Sequence, residues 1–332
     1  MKFQYNHLWG GKKIPKVSVI TPVFNRRDEL PRALKSLESQ TFRDIEHIVI
    51  NDGSSEQLDD IMEEYMKRVD YLVAYITKEN GGVHTARNAG IKISRGEMIA
   101  FLDSDDEFRP NFMSTFLEAW YSIPEDRRDE YRECNAFCVT QSGKRIGRHL
   151  PKNINELPYN EARRIADASK EGEKCGFLRG DLMRENPWPE PEGVKVVAES
   201  ILWCKLRNKY KTWFLDNELR VYHTESDDRL TSMSSKFKKQ NLINSLYNSL
   251  WFIDNGRMYG LEKKELFINA VKFSTFKHLL RLKYDYPEYE WAKKDVYLFV
   301  DKLVQIALWF PSLVAAIVYL CRNNNIDKKH HE

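Results

Sequence analysis

Four carboxylate side chains crowd into five residues directly after an apolar run. The stretch FLDSDDE (101–107) contains Asp103, Asp105, Asp106 and Glu107. Like charges at this spacing repel one another unless a cation lies among them. Carboxylate oxygens are the hard ligands that Mg²⁺ and Mn²⁺ prefer, and those ions also bind phosphate groups. The cluster therefore predicts a metal site, with a basic side chain or a solvated acidic turn as the alternatives.

Two further polar segments have the residue types of a binding site. Asp52 in VINDGSS stands beside Gly53, and its carboxylate can accept hydrogen bonds from a nucleobase or ribose. An ordinary Asp-Gly turn is the alternative. In KENGGVHTARNAG (78–90), two glycines permit a sharp turn into a helix whose first amides favour an anion. The spacing is neither that of a P-loop nor that of the G-x-G-x-x-G fingerprint.

The segments that must position these residues alternate between two sequence patterns, one typical of strands and one typical of helices. Apolar, β-branched runs at 17–21, 45–50, 71–76 and 97–102 are separated by segments with helical spacing. This alternation predicts an α/β fold, with a mixed, mostly parallel sheet flanked by helices. Ligands gather at the carboxyl ends of such strands. All four strands are followed by polar, Gly-rich or acidic residues, so the sequence predicts one binding edge.

The pattern loosens between about 124 and 192. PWPEP (187–191) predicts a stiff, extended loop with an exposed Trp188, because its three prolines exclude a helix. A helix is expected at 199–209, a pair of short strands at 212–215 and 219–223, and helices from 235 onwards.

Composition limits the class of protein. The chain has 332 residues, of which 42% are hydrophobic and 30% charged, so a substantial core can form. A net charge of +3 argues against nucleic-acid binding by basicity alone. Five sparsely spaced cysteines indicate reduced thiols and a cytoplasmic protein rather than a zinc site. The first residues lack the apolar core of a signal peptide.

Several segments together resemble a known family. VSVITPVFNR, LESQTFRDIEHIVINDGSS, ENGGVHTARNAGI and GEMIAFLDSDDEFRPN are similar to the nucleotide-sugar-binding half of family-2 inverting glycosyltransferases of the GT-A fold. The resemblance is close over 16–112 and looser over about 195–232. It implies metal-dependent transfer of a sugar from a nucleoside diphosphate to a hydroxyl, with inversion.

The resemblance also implies domains and site residues. A GT-A catalytic domain is expected at 1–234, with a nucleotide-sugar part at 16–112 and an acceptor-side part at 113–234, followed by a helical region at 235–332. Asp105 matches the direct ligand of Mn²⁺ or Mg²⁺, and His223 matches a further metal ligand. Nucleotide-sugar contacts are implied at Pro22, Phe24, Asp52, Asn80, Arg87, Asp103, Ser104 and Arg229.

The family's catalytic base is replaced in this chain. Family members usually have Glu-Asp at the start of a helix, whereas this chain has Glu199 followed by Ser200. A neutral serine cannot take a proton from the acceptor, so the prediction moves the general base to Glu199. A helix N-terminus favours the ionised form of that carboxylate. Capping of the helix is the alternative role. Trp188 is the candidate stacking surface for an acceptor sugar.

The stretch LVQIALWFPSLVAAIVYLC (303–321) is almost continuously apolar. It is close to the roughly 20 residues that span a bilayer, but Pro311 interrupts it. Basic flanks favour a helical pair lying on the inner face of the plasma membrane. A spanning helix, internal packing or a homodimer contact are the alternatives. The expected partners are a UDP-sugar donor and a glycan or lipid-linked acceptor, without nucleic acid.

Two other functions remain as alternatives. A sugar nucleotidyltransferase needs a Gly-rich basic loop after the first strand, but TPVFNRRDEL contains no glycine. A non-catalytic nucleotide-sugar-binding partner in a glycan assembly complex is the second alternative, and Ser200 is its best support.

Overall fold

The computed structural model describes residues 1–9, 14–147, 149, 156–158, 173–206, 209–223, 238–284 and 289–292. Within these residues one mixed sheet contains eleven strands. They are β1 (Lys2–Tyr5), β2 (Val17–Val23), β3 (Ile45–Asn51), β4 (Leu72–Thr77), β5 (Met98–Phe101), β6 (Glu107–Phe108), β7 (Tyr131–Thr140), β8 (Arg145–Ile146), β9 (Glu156–Pro158), β10 (Lys174–Arg179) and β11 (Lys211–Tyr222).

The strand order is β1-β4-β3-β2-β5-β10-β7-β11-β6, and β8 and β9 pair with β7 and β11. The neighbours β4, β3, β2 and β5 are all parallel, as the alternating pattern predicts. Every residue of β2 and β3 is buried, and most of them are apolar, as expected for strands that are covered on both faces. Parallel pairing brings the ends of these four strands to one edge of the sheet.

The described helices connect and cover these strands. They are α1 (Leu30–Glu38), α2 (Asp59–Arg68), α3 (Val83–Ile93), α4 (Phe112–Ser122), α5 (Gly180–Glu185), α6 (Glu199–Leu206), α7 (Lys239–Asn255) and α8 (Lys263–Lys283). Helix α3 packs on β2 and β3. A Cβ atom at Gly90 would lie 2.5 Å from Ile20, so this glycine permits the close approach of α3 to the sheet.

The region that looked irregular contributes two long strands. β7 and β10 pair with each other, and β10 joins them to β5, antiparallel in both cases. The two short strands expected at 212–215 and 219–223 are wrong in detail, because β11 runs continuously through both. β11 lies parallel to β7, with irregular register between Phe214 and Arg220.

The chain divides into two compact units. The first comprises Met1–Pro189 and Leu206–Ser226, and it contains the sheet. The second comprises Glu190–Lys205 and Asp227–Glu332, so the segment before Glu199 groups with the C-terminal helices α7 and α8. Among helices in the described parts of the chain, none has both the length and the apolar composition to cross a bilayer. The apolar stretch 303–321 lies outside the described residues.

Candidate active site

Asp103 follows β5 and lies between two arginine side chains. Its Oδ1 accepts a hydrogen bond from Arg87 Nη2 at 3.0 Å, and its Oδ2 lies 3.7 Å from Arg220 Nη1. Burial opposes ionisation of the carboxyl, but the two guanidinium groups outweigh it and lower the pKa of Asp103. Basic side chains therefore provide much of the positive charge that the acidic cluster requires.

Asp106 is the most deeply buried carboxylate of the cluster. Its side chain is 1% exposed, and its Oδ2 lies 3.3 Å from Arg220 Nε. Its Oδ1 accepts the backbone N–H of His223 at 3.0 Å. Burial and the charge of Asp103 raise the pKa of Asp106 to about 8, although Arg220 opposes that rise. Asp106 therefore acts inside the protein and is not open to a ligand from solvent.

Asp105 is about as exposed as Asp103, whose side chain is 33% exposed, but it has less charge compensation. Its side chain is 32% exposed, and Arg26 Nε lies 4.0 Å from Oδ2. Burial and the nearby charge of Asp103 raise the pKa of Asp105, and Arg26 only partly compensates. An accessible carboxylate with incomplete charge compensation is a good place for a cation from solvent. Its backbone is held independently, because Arg32 Nη2 donates to the Asp105 carbonyl at 2.5 Å.

His223, the other predicted metal ligand, has protein partners on both ring nitrogens. Nε2 lies 2.6 Å from Glu107 Oε1, and Nδ1 lies 2.7 Å from Gln141 Nε2. The imidazole has to leave one of these partners before it can bind a metal. Among the described residues no group of three His, Cys, Asp or Glu side chains forms a metal cage. Asp105 still fits Mg²⁺ or Mn²⁺, because one or two carboxylates with substrate phosphates and water are sufficient ligands.

Asp52 organises a turn in the described structure. Its Oδ1 accepts hydrogen bonds from Lys78 Nζ at 2.6 Å and from the Gly81 N–H at 3.0 Å. Its Oδ2 accepts from Asn80 Nδ2 at 3.2 Å and from the Gly82 N–H at 2.8 Å. These four donors engage both oxygens of a side chain whose residue is 2% exposed. Asp52 therefore shapes the turn that leads into α3.

The loops after β2 and β3 are also tied together. The Asn25 N–H donates to Ser54 Oγ at 3.0 Å, and Asn25 Oδ1 accepts the Ser55 N–H at 2.9 Å. Asn25 has a φ of 51°, a left-handed conformation that asparagine tolerates better than most residues. Pro22 is buried in β2, whereas Phe24 is 48% exposed and presents an aromatic face at this edge.

Trp188 is buried, so the expectation of an exposed aromatic ring is wrong. It is 3% exposed, and its ring centroid lies 5.8 Å from that of Phe101. The Arg87 guanidinium lies 6.0 Å from the Trp188 ring and 5.1 Å from the Phe101 ring. Asn88 donates to the Trp188 carbonyl and accepts its N–H, at 2.9 and 3.0 Å. The proline-rich loop therefore packs against α3 and Arg87, and Trp188 does not present a free face for an acceptor sugar.

Glu199 is the first residue of α6 and is exposed. Two asparagines of α7 hold the segment in front of it. Asn244 Oδ1 accepts the Lys195 N–H at 2.9 Å, and Asn248 Oδ1 accepts the Ala198 N–H at 2.9 Å. Asn248 Nδ2 also donates to the Val196 carbonyl at 3.2 Å. These bonds fix the backbone that leads into Glu199.

The structure thus unites most predicted residues of the first unit at the strand ends. Ser104 is 7% exposed within the acidic turn, and Arg229 lies outside the described residues. Sequence reasoning missed Arg220, Lys78, Asn244 and Asn248. The sequence signal for Arg220 was an arginine within an apolar strand. The signal for Asn244 and Asn248 was their spacing of four residues along a helix.

Comparisons with known proteins agree with this arrangement. A family model described as Glycosyl transferase family 2 matches residues 18–180. An uncharacterized glycosyltransferase of Rickettsia prowazekii is 40% identical over 94% of this chain and 93% of its own length. The chain belongs to glycosyltransferase family 2.

Other relatives vary in length and in identity. A Campylobacter jejuni protein named GalNAc(5)-diNAcBac-PP-undecaprenol beta-1,3-glucosyltransferase is 23% identical over 95% of this chain and 96% of its own. A Rickettsia bellii glycosyltransferase is 33% identical over 69% of this chain, but the match spans only 31% of that protein.

Solved structures confirm the predicted GT-A fold. S. aureus TarS in complex with UDP-GlcNAc superposes with a TM-score of 0.58 at 18% identity, covering 94% of this chain and 88% of that one. A mannosyltransferase from Pyrobaculum calidifontis in complex with GDP-Man and Mn²⁺ gives 0.51 at 14% identity, covering 96% and 89%. At these identities the likeness concerns the fold of this family-2 glycosyltransferase alone.

Proposed function

We propose that this glycosyltransferase moves a sugar from a UDP-sugar to a hydroxyl of a glycan or lipid-linked acceptor, with inversion and with a divalent cation. The observation that carries the proposal is the environment of Asp105. Two arginines compensate the charge of Asp103, and Asp106 is buried, whereas Asp105 is partly exposed and lacks full compensation. Asp105 would hold the cation, and the cation would supply the missing positive charge.

The chain's own residues divide the remaining tasks. Asp52, through Asn80 and the glycines after it, shapes the turn that receives the nucleotide, and Phe24 offers an aromatic face to the base. Bound Mn²⁺ or Mg²⁺ would neutralise the charge that grows on the departing diphosphate. The hydrogen-bonded pair of Arg87 and Asp103 forms one side of the proposed site. Arg229 is proposed as a further diphosphate contact.

Glu199 is proposed as the general base that takes the proton from the acceptor hydroxyl as the new glycosidic bond forms. Its exposed position at the first residue of α6 supports this role, because the helix N-terminus favours the carboxylate form. A single displacement on the face opposite the leaving diphosphate inverts the anomeric carbon. Ser200, in the place of the family's usual aspartate, keeps a non-catalytic binding partner as the rival function.

The central experiment is calorimetric titration with UDP and with GDP, each with and without Mn²⁺. We expect UDP to bind more tightly than GDP. We also expect UDP to reach its full affinity only when Mn²⁺ is present. Equal UDP affinity with and without Mn²⁺ would contradict the role of Asp105. A screen of UDP- and GDP-sugars for nucleotide release then identifies the donor.

The second experiment separates an enzyme from a binding partner. We expect Glu199→Gln to abolish both sugar transfer and the slow hydrolysis of the UDP-sugar. Its affinity for UDP should remain that of the wild type. Glu192→Gln, an exposed acid in the same segment, should keep both. Full transfer activity in Glu199→Gln would show that the base lies elsewhere. No turnover by the wild-type chain with any donor would favour the binding partner.

A lipid-linked acceptor and a position on the inner face of the plasma membrane belong to the same proposal. The name of the Campylobacter jejuni relative contains an undecaprenol-linked acceptor, and the apolar stretch 303–321 has basic flanks. The full chain should float with vesicles that contain anionic lipid, and a chain ending near residue 295 should not. Equal flotation of the two chains would contradict a membrane role for this stretch.

A further inference from the structure

Arg220 approaches three carboxylates, two from the acidic turn after β5 and one, Glu173, from the residue before β10. It is 5% exposed in β11. Its Nε lies 3.3 Å from Asp106 Oδ2, its Nη1 lies 3.7 Å from Asp103 Oδ2, and its Nη2 donates to Glu173 Oε1 at 3.0 Å. Removing one member of such a buried group leaves the other charges uncompensated.

The position of Arg220 is set by both neighbouring strands. It pairs with Cys138 of β7 on one side and with Phe108 of β6 on the other. The backbone therefore cannot shift to follow a different side chain. The planar guanidinium presents donors in a rigid fork, which lets one side chain serve several carboxylates, whereas a lysine offers a single charged nitrogen.

The contacts of Arg220 lie on both sides of Asp105 in the chain. Asp103 and Asp106 flank the proposed metal ligand, and Arg220 approaches both. Asp106 is held a second time by the N–H of His223, which lies three residues after Arg220 and directly follows the end of β11. The turn is therefore held before and after Asp105, and the Asp105 carbonyl accepts from Arg32, so the backbone that carries this carboxylate is held in place.

We propose that Arg220 is a positioning residue, which holds Asp103 and Asp106 so that the turn presents Asp105 to the metal and diphosphate. This inference rests on the proposed function and extends it to a side chain that does not itself contact the ligand. The guanidinium fork, and not its charge alone, is the feature that matters, because two carboxylates have to be held at once.

The test measures two quantities on the full chain: the dissociation constant of UDP at saturating Mn²⁺, and the Mn²⁺ concentration that gives half-maximal UDP binding. Arg220→Met should weaken both by about 10–100-fold, the range typical of groups that orient a metal ligand. Arg220→Lys should weaken them less, but measurably, since it keeps the charge without the fork.

Arg132→Met is the matched control. Arg132 is also 5% exposed and lies in β7 of the same sheet, but it pairs with Glu133 and Thr212. We expect it to lower the thermal midpoint and to leave both binding quantities unchanged. A purely structural role predicts the same pattern for Arg220, with a lower midpoint and normal binding.

The outcomes are distinguishable. Arg220→Lys that is folded and binds UDP and Mn²⁺ like the wild type overturns the inference. If Arg220→Met does not fold, the Lys variant alone decides. A wild-type chain that fails to bind UDP with Mn²⁺ overturns the proposed function and this inference together, whereas normal wild-type binding with unaffected variants overturns only the inference.

Discussion

Lys78 and Asp52 form a buried ion pair between the ends of two neighbouring strands. Nζ lies 2.6 Å from Oδ1, and the side chains are 11% and 3% exposed. Lys78 Nζ also donates to Thr85 Oγ1 at 2.9 Å, which ties the pair to the first turn of α3. The pair therefore joins β3, β4 and α3 at the strand ends where the nucleotide is proposed to bind.

Removing the cation of this pair should lower stability. Lys78→Met leaves the Asp52 carboxylate buried, and we expect a loss of about 3 kcal/mol in the free energy of unfolding, the lower end of the range for a broken buried pair. The loss stays near that end because three N–H donors to Asp52 remain. Urea denaturation measures it.

Lys2→Met is the control for this change. Lys2 pairs with Asp59 at 3.8 Å, with side chains 65% and 38% exposed, so its removal should matter by less than about 1 kcal/mol. Similar losses for the two variants would contradict a special role for the Lys78 pair.

Asp105→Asn tests the metal ligand directly. The amide keeps the size of the side chain but removes its charge, so the Mn²⁺-dependent part of UDP binding should disappear. The affinity for UDP in the presence of Mn²⁺ should fall at least as much as it does when a group that only orients a metal ligand is removed, which is typically about 10–100-fold. Asp60→Asn, which changes an exposed acid paired with Arg27, should bind UDP normally in the same titration. Unchanged Mn²⁺ dependence in Asp105→Asn would exclude Asp105 as the ligand.

Asn248→Ala tests the support of the proposed base. It leaves the Ala198 N–H and the Val196 carbonyl without their side-chain partner, which loosens the backbone before Glu199. We expect kcat to fall by about tenfold or more, because small misplacements of a reacting group reduce rates strongly. UDP affinity should stay unchanged.

Asn255→Ala is the matched control in the same helix, since among the described residues Asn255 Nδ2 donates within α7, to the Trp251 carbonyl at 2.9 Å. A parallel fall in kcat for both variants would point to general damage to α7 instead of a local effect on Glu199.

His47 predicts a pH dependence of stability. The ring is fully buried between Thr21 and Tyr65, and burial lowers the pKa of His47 to about 3. An unfolded histidine has an ordinary pKa near 6.5, so below that pH the unfolded chain binds a proton that the folded chain excludes. Stability is therefore lost as the pH falls from about 6.5 towards 3.

The size of this loss of stability follows from the lowered pKa of His47. Between pH 7 and 5.5 His47 should account for about 1 kcal/mol of lost stability, at about 1.4 kcal/mol per pKa unit. His47→Gln removes the titrating group. The difference in the free energy of unfolding between wild type and variant, measured by urea denaturation, should therefore narrow by that amount as the pH falls from 7 to 5.5. Parallel curves over this range would contradict a neutral, buried His47.

Much of the first half of the fold follows from local pattern. The predicted strands at 17–21 and 45–50 are β2 and β3 in the structure, and the helical spacing of Leu30, Leu34 and Leu37 matches α1. Period and apolar runs are properties of neighbouring residues, so a single sequence reveals them. The same holds for the placement of the acidic turn after β5.

Burial and pairing over long separations did not follow from pattern. The prolines around Trp188 indicated an extended loop, but its burial depends on Asn88 and Arg87, about 100 residues earlier. β7 carries Arg132 and Glu133 in a buried strand, so its charges concealed a core element. Arg132 and Glu133 pair with each other, and Thr212 of β11, about 80 residues later, hydrogen-bonds to both.

From its sequence alone, the pattern of this chain predicted the alternation of strands and helices in its first half and the strand ends where chemistry is expected. These two features depend on side-chain periodicity and on turn residues, which act over a few positions, whereas the GT-A fold was implied by the resemblance to family-2 glycosyltransferases. The tertiary structure decided which charges meet: Arg87 and Arg220 reach Asp103 from different elements, whereas Asp105 has Arg26 at 4.0 Å. Charge compensation acts through space, so only the folded chain determines which carboxylate keeps an incompletely compensated charge.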